Sequence, residues 1–332
     1  MQTSIEQPAE TPAEHLSKSS VDSIDDGAKS MSASKLKRSD WFIVFAITLL
    51  IALRSWSIAN EHSATWDTIY HLDRAVSFAH GTLDTQTQLN DPPMGEVIAF
   101  VPYLIAKTFV SEPPLDAMLQ WIAIWKSLLL FPALLAAFCW ARDLYNREAG
   151  WLVVALIALE PTLAAMTAYA TLDSLAISAI LPAAYLGFRY AQRPTWRGLF
   201  LLAISTAFAL VCKHTAIALL PIGGLQAINA FISRRRRTER YPIGAHIVVG
   251  SVVGLLALWT FTGFDFSPGS RIHPGLEDAP GFRFPADSLP AGVYFRSFSD
   301  ASLHAGIGHN GFLWGEIRGQ GWWYYYFVNA LY

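Results

Sequence analysis

Apolar residues run in long stretches along this chain, broken by short polar segments, and that pattern predicts helices that cross a membrane. Runs at 41–59, 119–141, 149–167, 173–190, 197–212, 215–232 and 244–263 are read as seven crossings, since about 20 apolar residues at about 1.5 Å each cover a hydrocarbon core of about 30 Å. Residues 1–38 have no such pattern. They are rich in Ser, Ala, Glu and Asp and bury too little apolar surface to offset their ordering entropy, so a disordered cytoplasmic tail is expected there. The domain that follows spans 39–332.

Charge decides how the crossings are oriented. Lys35, Lys37 and Arg38 precede the first run and place its start in the cytoplasm. A cleavage-like Ser57-Ile-Ala59 leaves a signal peptide as the competing reading. Either way Asn60 lies outside. If Met94–Val110 also crossed, the loops Arg142–Glu148, Arg189–Arg197 and Ser233–Arg240, with two, three and five Lys or Arg, would face outward. Reading it as an interfacial segment kinked at Pro102 puts all ten inside, in keeping with the positive-inside bias. The outer side then receives 60–117, the turns at 168–173 and 213–214, and the stretch from Gly263 to about Gln320. Pro268, Pro274, Pro280, Pro285 and Pro290 predict that this last stretch is irregular. The aromatic run after Gly321 looks like an interface belt opening an eighth helix, so the sequence is expected to be incomplete at its C-terminus.

Composition agrees with a polytopic all-α membrane bundle: 53% of residues are hydrophobic, 15% charged, and the net charge is −2. No basic field points to nucleic acid. Cys139 and Cys212 sit in apolar runs and read as packed thiols.

The candidate chemistry lies in the outer segments. Asp67 follows Trp66 in the first of them. Asp173 opens an apolar run and is a candidate to orient Lys213, to hydrogen-bond an acceptor, or simply to cap the helix it opens. Lys213 is a lone cation between two apolar runs, where it either meets an anion or snorkels. Arg54 lies in the outer third of the first run. His309 and Glu316 stand near Trp314, Trp322 and Trp323, and aromatic faces beside polar groups suit sugar or isoprenoid contacts. No pair of His, Asp or Glu has zinc-like spacing, and nothing in the sequence supports a divalent cation.

Taken in order, these segments resemble a family. Trp66-Asp67-Thr68, Asp91-Pro92-Pro93, Ala168-Tyr-Ala-Thr-Leu-Asp173, Cys212-Lys213-His214-Thr215 and Gly308-His309 through Gly315-Glu316 are similar to motifs of the membrane-embedded C-type glycosyltransferases. The nearest likeness is to bacterial relatives of the dolichyl-phosphate-mannose protein mannosyltransferases. Three positions depart from the pattern: Thr68 where a second acid is expected, Asp91 where a histidine is, and Glu96 where a lysine often stands.

The resemblance implies the C-type superfold in a bacterial plasma membrane, with its active site on the outer face. It also implies transfer of a sugar, possibly mannose or another hexose, from a polyprenyl-phosphate-linked donor to a protein, lipid or glycan acceptor, with inversion at the anomeric carbon. The lipid-linked sugar is then a co-substrate, and no separate cofactor is called for. Such a transfer needs a base for the acceptor proton and a group to stabilise the departing phosphate. Asp67 is the candidate base, and Asp173, Lys213, His309, Glu316 and Arg54 are candidates for substrate binding. A non-catalytic relative that binds polyprenyl lipid, motivated by the three departures, and a transporter are the alternatives.

Overall fold

The computed structural model describes residues 36–83, 89–235, 243–285, 287–308, 310–319, 321–322, 324–325 and 328. Within them the protein is helical apart from one small hairpin. In chain order the helices are α1 (Arg38–Ala59), α2 (Trp66–Ala79), α3 (Pro93–Ala99), α4 (Val101–Lys107), α5 (Leu115–Leu129), α6 (Phe131–Leu144), α7 (Arg147–Leu159), α8 (Pro161–Ala168), α9 (Asp173–Gln192) and α10 (Trp196–Cys212). After a 3-10 turn (His214–Ala218) come α11 (Leu219–Arg235), α12 (Ile243–Phe261) and α13 (Gly292–Ile307). Strands β1 (Gly311–Leu313) and β2 (Glu316–Arg318) pair antiparallel.

Helix starts follow local chemistry. Side-chain oxygens of Thr65, Asn146, Glu160 and Thr195 accept the backbone N–H groups of Thr68, Ala149, Leu163 and Gly198, satisfying donors that the first turn leaves orphaned. Pro93, Pro102, Pro132 and Pro161 all occupy the first turn of a helix, where the missing N–H costs nothing.

Among the described residues, Arg38–Ala59, Leu115–Leu144 and Gly244–Phe261 are long and apolar enough to cross a membrane. Helix α5 continues into α6 through Leu130, whose backbone is helical. The expected run 149–167 is not one straight rod: α7 and α8 meet at Glu160-Pro161 with a 55° bend and count as a fourth crossing if taken together. The cause is Pro161, which lacks an N–H and disfavours helical backbone at Glu160. The other expected crossings fall on α9, α10 and α11, of which α10 is apolar over 17 residues. Large apolar side chains face outward from α1 (Phe42, Leu50, Leu53), α7 (Leu152, Leu159) and α12 (Val248, Leu255), as a bilayer-facing surface requires.

Side-chain contacts sort the elements into two ends. At one end Arg147 pairs with Asp40, Asp143 accepts from Arg142, Arg189 and Tyr185, and Tyr190 bonds His246. At the other, Gln120 bridges Trp56 and Asn60, the Ala64 N–H reaches Asp116, and the Trp259 indole N–H reaches the Asp265 carbonyl. Among the described residues this second end gathers 60–83, 89–117, the α8–α9 connection, the 213–218 turn, 265–285 and 287–308.

Two expectations about that end are refined. Residues 94–110 form α3 and α4, seven residues each, broken at Phe100, and neither is long enough to cross. The stretch expected to be irregular contains the 16-residue α13. Its prolines all precede the helix. Beyond Pro290 the chain turns at Ala291, in left-handed backbone (φ 62°), and meets no further proline, so a helix is free to form.

Candidate functional site

The site is best built outward from the turn after α10. The last helical residue is Cys212, Lys213 is extended (φ −163°, ψ 143°) and a 3-10 turn follows, so the Lys213 side chain leaves the helix axis. Its Nζ donates to Asp173 Oδ1 at 2.5 Å. Asp173 is the first residue of α9, and the side chain at the cap position makes no capping bond there. The Asp173 carboxylate is turned to the lysine. Lys213 is 22% exposed and Asp173 48%, so the pair has one side open to an incoming anion.

A second lysine lies at the same end. Lys126 of α5 is fully buried, and its Nζ donates to the carbonyl oxygens of Met166 (3.0 Å) and Tyr169. These carbonyls close α8, where helical partners are missing. Sequence reading did not single out Lys126. The signal was there, a cation in the middle of the apolar 115–144 run, the same feature that drew attention to Lys213 and Arg54.

The Asp91-Pro92-Pro93 motif leads into α3, which lies against the end of α10. A β-carbon on Gly95 would stand 2.4 Å from the Cys212 carbonyl oxygen, so only glycine permits this approach. Next along α3, Glu96 is wholly buried, lies 2.8 Å from His71 Nδ1 and accepts from Arg74. The Arg74 guanidinium also lies 3.0 Å from the same His71 nitrogen, so the three side chains form one cluster. Arg74 also covers the Tyr70 ring at 4.1 Å. Burial pushes the Glu96 carboxyl up, against the pull of His71 and Arg74. The acid at the position where the resemblance suggests lysine thus ties α2 to α3.

Asp67 occupies the first turn of that same α2 and is exposed. Thr68, which stands in place of a second acid, is buried and shares its hydroxyl with Thr65 at 2.9 Å, completing the helix cap. A small recess beside it is lined by Ser63, Thr68, Leu119, Ala168, Tyr169 and Ala170, so the start of α2 adjoins the connection that leads to Asp173. His62 and Tyr169 rings lie 5.4 Å apart at its edge.

The remaining candidates lie elsewhere. The Arg54 guanidinium faces the carbonyls of Ala158 and Leu159 at 3.4 and 3.5 Å, at the C-terminal end of α7. Glu316 is exposed on β2, 3.3 Å from Arg318. Its hairpin turns at Trp314-Gly315, both with positive φ, as a tight two-residue turn demands; Arg318 lies over the Trp322 ring and Trp314 packs near Tyr324. His309 lies outside the described residues. No described contact joins Asp67, Arg54 or Glu316 to the Lys213–Asp173 pair. Among the described residues no three of His, Cys, Asp and Glu gather closely enough to hold a metal ion.

One group at this end was missed in the sequence. His214 packs between Tyr294 and Phe298 of α13, at ring distances of 5.3 and 5.5 Å, and Asp91 acts on it electrostatically. Burial pushes its pKa down to about 4. Nothing in the sequence marked the partner, because α13 lay in the stretch read as irregular.

No curated protein and no solved structure matches this chain. Residues 113–261 match the family model described as dolichyl-phosphate-mannose-protein mannosyltransferase, a stretch that excludes Asp67, Glu96 and Glu316. Lys126, Asp173 and Lys213 all lie within the matched stretch, which covers less than half of the chain.

Proposed function

We propose that this protein is a glycosyltransferase that moves a sugar from a polyprenyl-phosphate-linked donor to an acceptor at the non-cytoplasmic face. The observation that carries the reading is the half-open Lys213–Asp173 pair, inside the family match and at the end of a membrane bundle. Sidedness rests on charge. Lys37, Arg38, Arg142, Arg147, Arg189, Arg193 and Arg197 belong to the opposite end, which the positive-inside bias puts in the cytoplasm.

In the proposed reaction Asp67 takes the proton of the acceptor hydroxyl as its oxygen attacks the anomeric carbon. The bond from that carbon to the phosphate oxygen breaks, and its electron pair leaves with the lipid phosphate. Lys213 meets the charge growing on that phosphate, which is where a preorganised cation lowers the barrier most. Asp173 holds the lysine in place beforehand, so little reorganisation remains at the moment of reaction. Attack opposite the leaving phosphate inverts the anomeric centre. Mannose or another hexose is the sugar class that the family favours, and the acceptor is a protein, lipid or glycan hydroxyl.

A second reading keeps the lipid site without turnover. It is favoured by Thr68, which caps α2 where a second acid would stand. Transfer from radiolabelled polyprenyl-phosphate sugars by purified protein in lipid separates the two. Transfer that Asp67→Asn and Lys213→Met each reduce by at least about 100-fold, a typical size for a lost acid–base or electrostatic group, supports the enzyme. Donor binding with no transfer from any donor supports the second reading.

A further inference from the structure

Asp300 of α13 is wholly buried, and each of its oxygens accepts a backbone N–H from a different segment. Oδ2 takes that of Leu89 at 3.1 Å and Oδ1 that of His273 at 3.0 Å. Arg296 Nε, one turn earlier on the helix, stands 3.9 Å away. Two backbone donors that burial would otherwise orphan are thereby satisfied. The neighbours of Asp300 fasten α13 to the coil before it: Ser299 and Ser302 accept the N–H groups of Phe284 and Phe282, both at 2.9 Å, and Gly292 and Gly306 leave no room for a β-carbon against the Ser267 and Pro280 carbonyls. Asp300 extends that attachment to the segment that opens α3. Leu89, itself wholly buried, comes two residues before Asp91-Pro92-Pro93, and α3 rests through Gly95 on the Cys212 carbonyl, one residue before Lys213. Tyr294 and Phe298 of α13 enclose His214, one residue after Lys213. Helix α13 therefore bears on both sides of Lys213, although it lies outside the matched stretch 113–261.

We infer that Asp300 is a positioning residue for Lys213. By holding the Leu89 and His273 amides together it fixes where α3 rests against the end of α10, and so where the turn presents the lysine to a lipid phosphate. The inference rests on the donor reading above. It goes further by assigning part of the site's geometry to a helix outside the matched stretch and to a side chain that acts through α3. A functional group needs such outside support, because a misplacement of about 1 Å can cost up to about 100-fold.

The test measures equilibrium binding of the best-bound member of a panel of radiolabelled polyprenyl-phosphate hexoses to the full chain in detergent, per folded protein. Asp300→Leu removes both acceptors, and Asp300→Asn keeps one and sets an NH2 against the other amide. Each should weaken binding about 10-fold, the scale of an orphaned buried donor. In a Lys213→Met background the same changes should weaken it by no more than about 2-fold, because a residue that acts through Lys213 has nothing left to position. Ser299→Ala, which frees the Phe284 N–H on the same helix, should stay within about 2-fold of wild type. An equal loss from the Asp300 changes in both backgrounds, no loss at all, or a loss in Ser299→Ala as large as theirs would overturn the inference and reduce Asp300 to a support of the fold. Should Asp300→Leu fail to fold, Asp300→Asn decides. A wild type that binds no member of the panel would bring down the donor reading and this inference with it, whereas failure confined to the variants leaves that reading standing.

Discussion

Gly95 lies so close to Cys212 that a β-carbon on it would meet the Cys212 carbonyl oxygen at 2.4 Å, with the Val211 carbonyl at 3.0 Å. Both obstacles are backbone at the end of α10 and have no rotamer to escape into. Gly95→Ala is expected to push α3 off the turn that carries Lys213. Overpacking of this kind costs roughly 1–3 kcal/mol. A lower thermal midpoint in detergent, together with sugar transfer reduced more than the stability loss explains, is the expected result. Unchanged transfer would show that the α3–α10 contact does not place Lys213.

Glu96 and Arg74 are both buried, at 0% and 2% exposure, and removing one partner strands the other's charge. A broken buried pair costs about 3–5 kcal/mol. Glu96→Met and Arg74→Met should each lower the unfolding midpoint strongly, while the double variant should recover much of the loss. Strictly additive losses in a double-mutant cycle would contradict the pairing.

His214 sets a pH dependence of stability. Its folded pKa of about 4 lies below the ordinary value of about 6.5, so between these the unfolded chain binds more protons. Its contribution is full above about pH 6.5 and is lost as pH falls toward about 4, in all on the order of 3 kcal/mol. Buried Glu96 and Asp300 are shifted upward and favour folding in the opposite direction, so the comparison must be with a variant. His214→Phe should lose less stability than wild type on acidification across that range. Parallel curves would show that the ring is not held neutral.

Arg54 is expected to serve stability before substrate binding. It donates toward the carbonyls that end α7, where a cation also complements the helix dipole. Arg54→Met is expected to lower stability by about 1 kcal/mol, the scale of a modest hydrogen bond, with the donor KM unchanged. A raised KM without loss of stability would return Arg54 to the donor site.

Much of the bundle was legible because apolar run length is a one-dimensional signal: the first and last long spans begin and end near where they were expected. The stretch 94–110, read as interfacial from charge placement, forms two helices of seven residues, each too short to cross. What stayed hidden depends on partners far away in sequence. Lys126 looked like one more residue of an apolar run, since its carbonyl acceptors lie 40 and 43 residues on. Glu96 looked like a defect in a motif until Arg74 and His71 appeared opposite it. In the 263–320 stretch the prolines were weighed together, although none falls after Pro290, and α13 went unread.

The central claim is that Lys213, held by Asp173, receives a lipid phosphate as the sugar leaves. The most direct measurement is transfer from a panel of radiolabelled polyprenyl-phosphate sugars by wild type, Lys213→Met and Asp173→Asn, with donor binding followed in parallel. The account predicts transfer from at least one donor, donor binding weakened in Lys213→Met, and turnover reduced in Asp173→Asn. Robust transfer with wild-type donor affinity in Lys213→Met would contradict it.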